Sequence, residues 1–237
     1  IVLDKGADIA WAVRKENPQL LASLNEFINK KVSHGAMLSN VLLAKYYGNT
    51  KWIRNPLAES ERRKLVKYQS YLKKYAKAYG FDWLKIAAMA YQESRLDRNA
   101  RSRVGAVGIM QMLPGTAHEI GIRNIANVQN NIRAGVKYLA LLRDTYFDHP
   151  GISPADKVDF ALAAYNAGPA SIEEFRRKAA EMGLDPNKWF FNVERAALRE
   201  TGWETVQYVA NVYKYYIAYK SAEKIIQERR LISRETG

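Results

Sequence analysis

The stretch Ala87-Ala88-Met89-Ala90-Tyr91-Gln92-Glu93-Ser94-Arg95 decides how the rest of this chain is read, together with Gly105-Ala106-Val107-Gly108-Ile109-Met110-Gln111 just behind it. A run of small and apolar residues ends in one carboxylate, and a polar, glycine-bearing loop follows. Glu93 therefore falls where a largely buried helix meets a turn. Burial disfavours the charged form of a carboxyl group and raises its pKa. The partial negative charge of a helix C-terminus acts in the same direction. A carboxyl so placed keeps its proton near neutrality and can act as a general acid. Taken alone, a helix-end Glu more commonly just meets solvent. The rest of the chain decides between the two.

Outward from this stretch the pattern is almost wholly helical. Lys64 to Tyr79 carries a helix-period apolar stripe, Gly80 closes it, and Asp82 is placed to cap the helix that ends near Ser94. Arg95 to Val107 forms a loop, and Pro114-Gly115-Thr116 opens a short helix ending at Gly121. Asn127 to Tyr146 is helical, with Val128, Ile132, Val136 and Leu139 on one side. Pro154 to Tyr165 is a helix stopped at Asn166-Ala167-Gly168-Pro169. Ala170 to about Met182, a piece around Trp189-Phe190-Phe191, and a long helix from Trp203 to about Glu228 follow. Nothing after Asn55 alternates as a strand does.

The first 55 residues read differently. Ala7 to Arg14 begins with strand-like alternation. Asn17-Pro18 opens a helix whose apolar face is Leu20, Leu21, Leu24, Phe27 and Ile28. Ser39 to Tyr47 is a second apolar stretch, and Asn55-Pro56 punctuates the chain, so a boundary is expected near Asn55. The segment is too short to be self-sufficient. The expectation is two parts, residues 1–55 and 56–237. The start at Ile1-Val2-Leu3-Asp4 suggests a piece of a longer precursor.

Composition limits the classes of function. The hydrophobic fraction of 48% fills a real core. No apolar run is long enough to cross a bilayer as a helix. Cysteine is absent, and the three histidines, His34, His118 and His149, are dispersed, so neither disulfides nor a His-based metal site are expected. A formal net charge of +13 favours a polyanionic partner. With no zinc-finger or aromatic-basic sheet motif, nucleic acid is not the expected one.

Four segments in order, Gln92-Glu93-Ser94, Gly105 to Gln111, Ala163-Ala164-Tyr165-Asn166-Ala167-Gly168 and Glu204-Thr205-Val206-Gln207-Tyr208-Val209, resemble the catalytic domain of the soluble-lytic-transglycosylase family. The resemblance covers about Leu65 to Lys220. It implies a mainly α, goose-type-lysozyme-like fold. The phrase from Ala10 to Ile28 resembles the C-terminal end of a solute-binding-protein domain of the α/β type, which points to the membrane-bound branch of the family. An ordinary helical extension is the alternative. Ile109 departs from the family's commoner Leu, a volume-conserving change.

The resemblance implies a peptidoglycan lytic transglycosylase that cleaves the β-1,4 bond between N-acetylmuramic acid and N-acetylglucosamine and leaves a 1,6-anhydro end. Glu93 matches the single catalytic acid and then base, with no metal and no cofactor. A lysozyme-like hydrolase normally pairs two carboxylates across the bond; here the nearest second candidates are Asp97, read as a loop-capping residue, and Glu119. Ser102, Gly108, Met110, Gln111, Tyr165, Asn166 and Tyr208 match positions that contact substrate. Ser102 is otherwise a plain loop serine, and Asn166 otherwise a helix C-cap. Tyr208 matches the tyrosine whose hydroxyl points at the acid. The implied partners are glycan strands, with muropeptides at an upstream domain. The implied location is the periplasm, at the outer membrane, with membrane attachment through an upstream part or peripheral.

Overall fold

The computed structural model describes residues 13–32, 55–200 and 202–235. The chain divides into two compact units, Ile1–Arg54 and Asn55–Gly237. In the first, Pro18 starts helix α1 (Pro18–Phe27), which a π-helical turn continues over Ile28–Val32. None of the α1 residues is buried; Leu20, Leu21 and Phe27 of its expected apolar face are 49%, 44% and 43% exposed. The alternation at Ala7–Ala12 and the stretch from Ser39 to Tyr47 lie outside the described residues.

The second unit is built on helices: α2 (Glu59–Ala78), α3 (Trp83–Ser94), α4 (Pro114–Glu119), α5 (Val128–Leu141), α6 (Pro154–Ala167), α7 (Pro169–Glu181), α8 (Glu194–Arg199) and α9 (Trp203–Glu235). Among the described residues there is no strand, only isolated bridges at Arg101–Val107 and Val107–Met112 within the loop after α3. No described helix is long and apolar enough to cross a membrane. The second unit is thus helical among the described residues, as expected.

Helix α3 is the axis of this unit. Every residue from Ile86 to Tyr91 is buried, with Ile86 to Ala90 showing no exposed surface. Such a helix needs small side chains on the sides where neighbours press close, and Ala87, Ala88 and Ala90 supply them. Its start is fixed by Asp82, whose carboxylate accepts the Leu84 amide at 2.9 Å. Its end is fixed by Arg95, in the left-handed conformation with φ +54°. Leu96 follows at φ +57° and is itself buried, so the chain turns sharply back into the core after Glu93. Two further helices are capped in the same way: Asn127 accepts the Asn130 amide and Ser153 the Asp156 amide.

Helix α9 lies along α3. Tyr208 meets Glu93, Tyr215 sits edge-on to Tyr91 at 4.8 Å, and Tyr213 and Tyr216 meet the Lys85 and Asp82 end. The contacts run in opposite directions along the two chains, so the helices pack antiparallel. At the far end a polar cluster is built into this packing. Asp159 of α6, only 3% exposed, accepts the Tyr213 hydroxyl at 2.5 Å, and Lys85 donates to the same Tyr213 oxygen at 2.9 Å. Burial lowers the Lys85 pKa and pushes Asp159 up to about 6, against the opposing pull of Tyr213 and Lys85.

That shift has a stability consequence of definite sign. The folded protein binds the Asp159 proton more tightly than the unfolded chain, so the contribution is fully present below about pH 4 and lost as pH rises through about 6. Asp159→Asn is expected to flatten the fall in stability across that window by on the order of 2–3 kcal/mol. Chemical denaturation of wild type and variant at pH 4 and pH 7 measures it.

Candidate active site

Glu93 lies in the last turn of α3, partly buried, and its Oε1 accepts the Tyr208 hydroxyl at 2.6 Å. Tyr208 reaches it from the second turn of α9 and is 4% exposed. Burial pushes the Glu93 carboxyl up to about 7, and the hydrogen bond from Tyr208 pulls less strongly the other way. Near neutrality the group is thus divided between its acid and its anion, as a proton donor that must later accept requires. Burial and the Glu93 charge raise the Tyr208 hydroxyl well above its usual range, so it stays a donor.

The loop after α3 is clamped over this carboxyl by side chains from three helices. Ser94 Oγ donates to the Ile109 carbonyl at 2.8 Å and accepts the Asp97 amide, tying the end of α3 to the loop. Tyr165, at the end of α6, donates to the Met110 carbonyl at 2.7 Å. Its own hydroxyl is raised by burial and next by the Glu93 charge. Asn131, 1% exposed in α5, uses its whole amide: Oδ1 accepts the Met110 amide at 2.8 Å, and Nδ2 donates to the Val107 and Ile125 carbonyls. A buried amide with every group paired orients backbone firmly, because leaving any group unpaired is costly.

A Cβ at Gly108 would meet the Asn131 side chain at 2.5 Å; with φ +78°, the residue is glycine to admit Asn131. The Met110 side chain is fully buried and lies over Gly135, where a Cβ would come within 2.6 Å of Met110 Cβ. Both positions support the loop from beneath.

The remaining positions keep a polar group for a ligand. Gln111, with φ +46°, donates through Nε2 to the Gly108 and Ala100 carbonyls. Two acceptors on that side fix the amide orientation and turn Oε1 the other way. Ser102 Oγ accepts the Ala106 amide and retains its own proton for donation. Asn166 is exposed, and Thr205 donates to its Oδ1 at 2.9 Å, so the Asn166 amide nitrogen keeps its two donors. Thr205, buried at 4%, gives the Glu204-Thr205 segment its place, while Glu204 is exposed. Asp97 is exposed and accepts the Asn99 amide at 2.9 Å, a loop cap; Glu119 is exposed at the end of α4. Neither contributes to the Glu93 shift, which burial and Tyr208 account for.

Sequence reasoning missed Asn131 and Thr205. Asn131 did leave a trace: with Gly135 it interrupts, four residues apart, the apolar stripe of α5. A polar side chain on a buried face is hydrogen-bonded in nearly every case. Thr205 left none, since a threonine in a first helical turn is ordinary.

A helical, lysozyme-like unit with one shielded carboxyl under a clamped loop defines a class, and the match to known proteins agrees with it. Residues 70–187 match the family model described as the transglycosylase SLT domain, and through this domain the chain belongs to that family. Among named relatives it is similar to membrane-bound lytic murein transglycosylase F of Pseudomonas putida (strain W619), with 33% identity over 87% of this chain and 45% of the relative. It is similar also to the protein of the same name from Desulfosudis oleivorans, with 31% identity over 94% of this chain and 52% of the relative. The chain thus spans about half the length of these relatives. Of solved structures, an inactive glutamate-to-glutamine mutant of lytic transglycosylase Slt from Pseudomonas aeruginosa superposes with a TM-score of 0.54 and 25% identity, over 87% of this chain and 30% of that one. The 70 kDa soluble lytic transglycosylase of Escherichia coli superposes with a TM-score of 0.50 at 24% identity, over 66% and 24%, and supports the fold alone.

Two stability measurements test the geometry. Asn131→Leu strands the Met110 amide and two carbonyls and is expected to cost about 2–4 kcal/mol, with a drop in protection of the loop amides in hydrogen exchange. Glu93→Gln removes an acid whose anion the fold disfavours. It is expected to stabilise the protein above pH 7 by on the order of 2 kcal/mol, and to leave it unchanged below about pH 4. Thermal unfolding at pH 4 and pH 8 separates the two regimes.

Proposed function

We propose that this unit is a peptidoglycan lytic transglycosylase in which Glu93 acts alone, first as acid and then as base. The observation that carries the reading is the Glu93 carboxyl, poised near pH 7 by burial and held by Tyr208, with no second carboxylate among the described residues contributing to its shift. In the first step Glu93 gives its proton to O4 of N-acetylglucosamine as the bond from that oxygen to C1 of N-acetylmuramic acid breaks. In the second, the muramic acid C6 oxygen bonds to C1 while its proton passes to the Glu93 carboxylate. The acid is restored, no water is consumed, and the product ends in a 1,6-anhydro ring. Tyr208 orients the carboxyl throughout, and Gln111 Oε1, the Ser102 hydroxyl and the Asn166 amide supply polar groups for sugar hydroxyls and acetamides. The inactive glutamate-to-glutamine mutant of the P. aeruginosa Slt agrees with one indispensable acid in that relative.

The same proposal extends to setting. Residues 1–55 are the end of a solute-binding-like domain, in keeping with relatives whose similarity runs well into this segment and which are about twice as long as the chain. That domain would take muropeptides. The protein works in the periplasm at the outer membrane, as the relatives' designation as membrane-bound suggests. The net charge of +13 draws it to an anionic wall.

Digestion of purified sacculi followed by mass analysis tests the chemistry. Anhydro-ended muropeptides are expected from wild type, and Glu93→Gln is expected to release them at least ~1000-fold more slowly. Reducing ends heavier by one water would assign the unit to hydrolysis instead. Because the first step needs the protonated acid, the rate is expected to fall as pH rises through about 7.

A further inference from the structure

The clamped loop has a second side. Behind the Gly108–Gln111 turn lies a cavity of about 380 Å³ between the loop and the turn that leads into α5. Val107, Pro114, Ile125 and Ala126 give it apolar walls, and Asn99, Arg98 and Arg101 bring polar groups to it. Arg98 and Arg101 are both exposed, and among the described residues neither guanidinium is in an ion pair or hydrogen bond. The carboxylate nearest in the chain, Asp97, caps the Asn99 amide. Two of the cavity's backbone segments also belong to the candidate active site: the Ala100 and Gly108 carbonyls hold Gln111 Nε2 at 3.2 and 2.9 Å.

We infer that this cavity binds a carboxylate of the peptide stem on the glycan strand being cleaved, through Arg98 and Arg101. The inference rests on the proposed function and adds a feature of its substrate. Two unpaired guanidiniums beside apolar walls suit a short acidic peptide: the planar forks take carboxylates in paired hydrogen bonds, and the walls take the peptide's aliphatic parts. The peptidoglycan stem is such a peptide, attached through the lactyl group of N-acetylmuramic acid, the sugar whose bond Glu93 would break. A bare polyanion would be served by guanidiniums on an open surface and has no use for the walls. The same wall holds Gln111, so an occupied cavity fixes the turn that presents Gln111 Oε1. Stem binding thereby favours a productive sugar pose.

The test has two arms. In the first, a free stem peptide, L-Ala-γ-D-Glu-meso-diaminopimelate, is titrated into wild type and Arg98→Ala/Arg101→Ala by NMR, with its carboxamide form as a control. Binding is expected for wild type with shifts confined to residues 97–114 and 122–127. It is expected to weaken at least 10-fold in the double variant and in the amidated peptide, and to be only partly restored in Arg98→Lys/Arg101→Lys, which keeps the charge and loses the planar fork. In the second, turnover is compared on intact sacculi and on sacculi stripped of stems by an amidase. Wild type is expected to prefer intact strands roughly 5- to 10-fold, and the double variant to lose that preference. Arg177→Ala/Lys178→Ala on α7, which removes the same charge elsewhere, is expected to keep it. No binding by wild type, shifts mapping elsewhere, or a preference unaltered in the double variant would overturn the inference. Inactivity of wild type on both substrates would sink the proposed function instead, and the first arm reads the cavity regardless of activity.

Discussion

The hydrogen bond from Tyr208 to Glu93 is the contact on which the rest of this structure turns. It joins the end of the buried helix α3 to α9, and it gives a polar partner to a carboxyl that water reaches poorly. A carboxylate in that position is expensive, and the fold keeps it there by making the protonated form tolerable. One phenolic donor is enough to orient the group and too weak to cancel the effect of burial, so the pKa settles near neutrality. Stronger partners, an arginine for instance, would have held the group ionised. The energetic liability and the chemical capability are one property.

The loop over the acid shows how that position is kept exact without secondary structure of its own. Its backbone amides and carbonyls at Val107, Ile109 and Met110 are taken by Asn131, Ser94 and Tyr165, each anchored in a different helix. Two glycines make this possible: Gly108 admits the Asn131 amide and Gly135 admits the Met110 side chain. The backbone from Val107 to Met110 is consequently a template with these polar groups spent inward. Fixed dipoles of this kind need no rearrangement when charge develops on a bound ligand, which is where enclosed sites gain over water.

Much of this was legible in the sequence, for reasons that differ by residue. The helices after Asn55 follow from apolar periodicity and, at Asp82, from a cap that acts locally. Glu93 was legible because the alanine run before it demanded burial on every side. Roles that depend on which side of a loop faces inward were not. The packing of Gly108 and Met110 toward α5 depends on the three-dimensional position of Asn131. Tyr165 likewise spends its hydroxyl on the Met110 carbonyl. Spacing gives neighbourhood; orientation comes from the partners that close the hydrogen-bond inventory.

An exposed carboxyl moves down where a cation meets it directly: the hydrogen bond from Lys157 lowers Asp148, and that from Arg177 lowers Glu174. Glu93 moves the other way. The cations are solvated, and their field fades within about 8 Å at physiological ionic strength. Desolvation acts at the atom itself and is not screened. The protein can therefore carry a strongly basic surface toward an anionic polymer while its acid stays protonated a short distance inside. Had the loop between them been open to water, the two demands would conflict, because a solvated Glu93 would follow the surface charge and lose its proton well below neutrality.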